Sequence, residues 1–209
     1  MQIVEPDLDE IGRIVDRYND PTSEAWSRYH ETGRGQLNME FWKDHFEWKF
    51  VAENYKPCIV FDYGCGTGHL DVMLADVGFT VLGYDPNKTN REVAKYIVGI
   101  QPQDVRDRLL ILDGIPNRTQ WSDIDLVFIC HVLEHVSKRE WGDFFSPIVS
   151  NDWKALISAP LGMAHYVPSH VNFWYSAREL QNDLESIGLT VNWAQVYERH
   201  GVIRAEVKW

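Results

Sequence analysis

Gly64, Gly66 and Gly68 follow Cys58-Ile-Val-Phe-Asp62, so an apolar strand breaks into a glycine-rich turn headed by one carboxylate. Glycine lets the backbone approach a ligand closely and take dihedrals that a Cβ forbids. A strand, glycine turn and helix in that order form a nucleotide-class binding loop. The dinucleotide fingerprint G-x-G-x-x-G is not met, because the third glycine comes one residue early and His69 takes its place. The lysine and hydroxyl of a phosphate-binding P-loop are also missing. Asp62, close to any bound phosphate, suits a cationic ligand better than an anionic one.

Two more acids stand at strand ends. Thr80–Tyr84 reads as a strand running into Asp85-Pro86-Asn87, and Asp85 lies 21 positions after Gly64. That spacing fits a carboxylate accepting hydrogen bonds from both hydroxyls of a ribose. Arg108–Leu112 predicts a third strand ending at Asp113-Gly114, and Asp125–Cys130 a fourth that runs into His131-Val-Leu-Glu134-His135-Val.

These segments together resemble the class I S-adenosylmethionine (SAM) dependent methyltransferases. The resemblance rests on the D-x-G-x-G-x-G turn at 62–68, the acids at Asp85 and Asp113, and Val-Leu-Glu-His-Val after the fourth strand. It implies that Asp62, Gly64, Cys65, Gly66, Asp85, Pro86, Asp113, Gly114, Cys130 and His131 border SAM and its product S-adenosylhomocysteine. Asp113 would bond the adenine amino group. The implied fold is α/β, Rossmann-like, with a mostly parallel seven-stranded sheet in the order 3-2-1-4-5-7-6 and helices on both faces. The implied reaction moves the sulfonium methyl to an O or N atom of a small-molecule acceptor. In-line transfer needs alignment, desolvation and, for some acceptors, a base. The candidates are His135, His165 and His131, in that order. A non-catalytic or regulatory SAM-binding module is the second reading.

A third reading comes from His131, Glu134 and His135, which spell the inverted zinc-peptidase signature H-x-x-E-H. That site needs both imidazoles on one helical face, a third ligand and the glutamate as base. Here the motif follows a β-type run with no helical turn before it. Zinc hydrolysis is therefore the remote alternative, and no metal ligand is assigned.

The positioning elements alternate strand and helix. After the fourth strand, Ser137–Val149 has helical spacing, Ala155–Ala159 a fifth strand stopped by Pro160, and Ser176-Ala-Arg-Glu179 a capping box for a helix ended by Gly188. Leu189–Val196 and Gly201–Trp209 alternate as two antiparallel strands. The segment His170 to Trp174 resembles the family's stretch before the last core helix, where the histidine supports the loop.

Residues 58–209 thus make the SAM-binding core, and residues 1–57 an aromatic-rich helical lid or cap. Asn38–Asn54 predicts one helix with Met39, Trp42, Phe46 and Phe50 on one face. The stretch from Trp26 to Gly35 has the Gly and Arg content of a mobile lid, with Arg28 or Arg34 as partners for the methionine carboxylate of SAM.

The chain has 209 residues and a net charge of −11, spread as −5 before residue 58 and −6 after it. One domain of that length buries a substantial core. No basic stripe offers itself to a phosphate backbone, so nucleic acid is a disfavoured partner. There is no apolar run of membrane-spanning length, and the acidic start does not read as a signal peptide. Cys58, Cys65 and Cys130 lack metal or disulfide spacing and read as reduced thiols, which fits a cytoplasmic enzyme.

Overall fold

The computed structural model describes residues 3–31, 34–116, 123–163 and 169–208. Its seven strands are β1 (Ile59–Tyr63), β2 (Thr80–Tyr84), β3 (Leu109–Ile111), β4 (Leu126–Cys130), β5 (Ala155–Pro160), β6 (Thr190–Tyr197) and β7 (Val202–Lys208). The helices are α1 (Leu8–Tyr18), α2 (Glu24–His30), α3 (Met39–Lys43), α4 (Phe46–Asn54), α5 (His69–Asp76), α6 (Lys88–Gly99), α7 (Gln103–Arg106), α8 (Trp141–Asn151) and α9 (Ala177–Ser186). The strand order is β3-β2-β1-β4-β5-β7-β6, as the resemblance implies.

The chain divides into two compact units, one ending at Ile115 and the other beginning at Pro116. In the first, β2 pairs in parallel with β1 and β3. Such strands are covered on both faces and need apolar residues throughout; Val60, Phe61, Val81 and Leu82 are buried. The N-terminal helices belong to this unit and pack on α5 and α6. Gln101 ties their leading end by exchanging two 3.0 Å bonds with the backbone of Val4.

In the second unit β4 and β5 are parallel, while β7 runs antiparallel between β5 and β6. All residues of β4 and β5 are buried. Helix α9 packs against β6 and β7; its cap Ser176 accepts from Glu179 N, as the capping-box spacing predicts.

One expected helix is two. Asn38–Asn54 breaks at Asp44-His45, where the backbone of His45 turns extended and its ring accepts from Glu47 N to start α4. The break redirects the aromatic stripe: Met39 and Trp42 are buried, whereas Phe46 and Phe50 are only half-buried and Val51 takes the inner position.

Candidate active site

The glycine loop is built by the turn from β1 into α5. Gly64, Gly66 and Gly68 all have positive φ, at 99°, 55° and 76°. Gly64 N donates to Tyr84 O at 2.7 Å and Gly66 N to Asp85 Oδ2 at 3.0 Å, which hold the loop to the end of β2. A Cβ on Gly66 would run into the carboxylate of Glu24.

Four carboxylates gather around this loop. Asp62 and Asp71 are buried at its base, Asp85 is buried beside it, and Glu24 of α2 lies over Gly66. Burial pushes Asp62 up to about 6 and Asp71 well above the carboxylate range, and the charge of Asp62 adds to the rise of Asp71. Asp71 is therefore the member of the pair that keeps its proton. Asp85 is raised by burial, against the opposing effect of three donors: Gly66 N, Asn87 N at 2.8 Å and Asn90 Nδ2 at 3.1 Å. A cluster of this sign, with no lysine in the loop, fits the sulfonium and ammonium of SAM and repels phosphate.

One cation belongs to the same place. Arg28 of α2 pairs with Glu24, donates to Thr67 Oγ1 at 3.0 Å and lies 4.9 Å over the Trp42 ring. The chain continues from Thr67 Oγ1 to His69 Nδ1 at 2.9 Å, and from His69 Nε2 to Leu37 O at 3.0 Å. A carbonyl can only accept, so Nε2 carries the proton and Nδ1 accepts from Thr67. Burial, helped by the Arg28 charge, lowers His69 to about 3. His69 is thus a neutral strut of the loop.

The sequence-predicted residues separate on this map. Asp62, Gly64, Gly66 and Asp85 come together. The Cys65 side chain turns inward toward Gly83, and burial pushes its thiol up, so only its backbone faces the loop. Pro86 is exposed at the start of the α6 turn, where its carbonyl accepts from Arg91. Asp113 stands in solvent with its carboxylate on Lys95 Nζ at 2.5 Å, next to Gly114. Arg28 sits at the loop, whereas Arg34 stacks 4.1 Å over Tyr29. Sequence reasoning missed Glu24, Asp71, Asn90 and the Thr67–His69 strut.

In the second unit Cys130 is buried at the end of β4 and His131 follows it with φ 54°, a left-handed conformation that is uncommon outside glycine. His131 N donates to Ser158 O at 2.9 Å, and its Nδ1 lies 3.3 Å from Glu134 Oε1. Glu134 is fully buried. His135 is exposed, with Nδ1 3.0 Å from Ser169 Oγ and its ring 4.7 Å edge-on from buried His170. Residues 131–136 form turns, not a helix, so the single helical face of the zinc-peptidase motif is absent there. His165 lies outside the described residues.

The fold and the acid-lined glycine loop define a class I SAM-dependent methyltransferase. A family model described as a methyltransferase domain matches residues 42–193, most of the chain, and the protein belongs to that family. It is an enzyme of the transferase class with SAM as cofactor, and the non-catalytic reading gives way. Among similar proteins, a ubiquinone biosynthesis O-methyltransferase of Bartonella tribocorum is 27% identical, covering 88% of this chain and 82% of that one. The glycopeptide N-methyltransferase MtfA complexed with SAM superposes with a TM-score of 0.62 at 14% identity, over 78% of this chain and 85% of that one. The small RNA methyltransferase HEN1 gives a TM-score of 0.62 at 15% identity, over 81% of this chain and 25% of that one. Likeness at such identities is likeness of fold.

Proposed function

We propose that the enzyme methylates an oxygen of a small-molecule acceptor. The observation that carries the reading is the His131–Glu134 pair at the carboxyl end of β4, the end at which open parallel sheets bind ligands. A buried carboxylate fixes the imidazole and stabilises the cation formed when it takes a proton. His131 therefore replaces His135 as the first choice of base. A phenolic or similar hydroxyl gains nucleophilicity when that proton leaves, and the O-methyltransferase relative supports oxygen over nitrogen.

SAM supplies a methyl group already activated on a cationic sulfur. The chain's own residues bind and orient. Asp62 and Glu24 offer negative charge to the ammonium and sulfonium, Asp85 accepts from ribose, and Arg28 meets the methionine carboxylate. Asp113 remains the proposed adenine partner, with Gly114 beside it. Residues 1–57 act as a cap that excludes water from the reacting methyl. The chain's acidity speaks against nucleic acid as acceptor.

A cytoplasmic setting is part of the same proposal. None of the three cysteines forms a disulfide, which fits a reducing compartment. Among the described residues no helix is long and apolar enough to cross a membrane.

The test is transfer of radiolabelled methyl from SAM to separate pools of phenols, carboxylic acids, amines and RNA. Label in an oxygen-acceptor pool supports the reading, with His131→Ala lowering kcat while SAM affinity holds. Label confined to amines or RNA overturns it.

A further inference from the structure

The turn after β4 carries a second constellation, which shares Glu134 with the His131 pair and adds two histidines that methyl transfer does not use. Glu134, His135 and His170 each offer a ligand atom, and these atoms all lie within 4.8 Å of one another. They come from two segments 34 or more residues apart, locked by backbone bonds. Val171 N and Asn172 N donate to Glu134 O at 2.7 and 3.2 Å. The Asn172 amide donates to Leu133 O and Val136 O, both at 2.7 Å. Trp141 Nε1 adds a bond to Val136 O at 3.0 Å. Four hydrogen bonds thus fasten the 170–172 strap onto the 133–136 turn, Trp141 braces the turn from α8, and the geometric result is to bring His170 beside Glu134 and His135. Donors held by a frame of that kind are preorganised.

The electrostatics ask for a cation. Glu134 is fully buried, and neither of its carboxylate oxygens receives a hydrogen bond. Its one ion-pair partner among the described residues is His131, which at 3.3 Å faces Oε1. Burying a carboxylate that receives no hydrogen bond is unfavourable, and a cation beside it offsets that cost. Ser169 Oγ on His135 Nδ1 is the sort of outer contact that orients a ligating imidazole.

We infer that Glu134, His135 and His170 form a binding site for one divalent transition-metal ion. Two imidazoles and a carboxylate are a zinc-type donor set, and they favour zinc, cobalt or manganese over magnesium. Donors on one such ion sit roughly 3.5 Å apart, so closure from the present spacing needs side-chain shifts of about 1 Å. Three protein ligands leave a position for water or another oxygen, as in open rather than closed structural sites. Against the zinc-peptidase motif, His135 keeps its part as a ligand, Glu134 becomes a ligand in place of a base, and His170 stands where the motif has His131.

The experiment uses full-length protein stripped with chelator and then titrated with Co2+, followed by visible ligand-field absorption, and with Zn2+ by calorimetry. The wild type should take one ion per chain and develop the cobalt bands. Glu134→Gln, His135→Ala and His170→Ala should each weaken binding at least tenfold, and His200→Ala, on the β6–β7 hairpin, should not. SAM binding serves as the check of folding. Exposed His135 supplies a variant that leaves the core intact if His170→Ala does not fold. A wild type without cobalt bands, or a folded His135→Ala that binds as tightly as wild type, overturns the site. Neither result touches the SAM assignment.

Discussion

The carboxyl of Asp71, in the first turn of α5, is buried next to that of Asp62 in β1, and the charge of Asp62 helps to raise it. Two neighbouring buried carboxylates do not both ionise readily, so Asp71 keeps its proton. The pair makes the floor of the glycine loop an acid whose charge responds to what binds above it.

Stability should carry the mark of this pair. Both folded-state pKa values lie above the ordinary carboxylate range, Asp62 at about 6, so the folded chain holds protons that the unfolded chain releases near pH 4. The pair's favourable contribution is complete below that range and is lost as pH rises through about 6. Asp71→Asn keeps the size of the side chain and removes its titration. Urea unfolding should show a gain on the order of 1–3 kcal/mol at pH 8 and a flatter profile from pH 4 upward. An unchanged pH profile would count against a buried, protonated Asp71.

His69 works in the opposite direction. Its folded pKa is lowered to about 3, so the folded chain refuses a proton that the unfolded chain takes below about 6.5. Its contribution is full above about 6.5 and is lost as pH falls from there toward about 3. His69→Asn should shift the acid-unfolding midpoint, followed by circular dichroism, to lower pH than in the wild type. A midpoint that moves upward would contradict a buried neutral ring.

Gly83, inside β2, has no positive φ, and its reason is space. A Cβ there would overlap Asp71 Oδ2 and come within 2.8 Å of Ile111 Cδ1. Gly83→Ala should cost about 1–3 kcal/mol in denaturant unfolding. In an Asp71→Ala background the cost should shrink, because the larger clash is gone. Equal costs in the two backgrounds would show that the carboxyl pair is not what requires glycine.

Arg28 joins cap to loop through Glu24, Thr67 and Trp42. Arg28→Ala should weaken SAM by about 1.5–3 kcal/mol, roughly 10- to 150-fold in Kd, as loss of a charge-assisted bond does. Arg28→Lys should recover part of this, since it restores charge without the planar fork. Calorimetry that finds no loss in either variant would remove Arg28 from the site.

The strands and the loop were legible because their signals are local. Alternating glycines, apolar runs of strand length and acids at strand ends need no tertiary partner to be read. Asp71 was invisible because its burial depends on a glycine in a neighbouring strand. Glu24 lies far from the loop in sequence and reaches Gly66 only through the fold of the N-terminal helices. Asn38–Asn54 misled because helical spacing runs straight through a break set by the His45 cap. His170 looked structural for a related reason: its partners Glu134 and His135 arrive through bonds made by Asn172, which carries no periodic signal.

Calorimetric titration of the wild-type enzyme with SAM at pH 8 and pH 5 tests the central claim most directly. A sulfonium cation favours ionised Asp62, whose carboxyl is raised to about 6, so binding should be stronger at pH 8 and weaker at pH 5. One SAM per chain at pH 8, with affinity lost on acidification, is the predicted result. No binding of SAM or S-adenosylhomocysteine at either pH would contradict it.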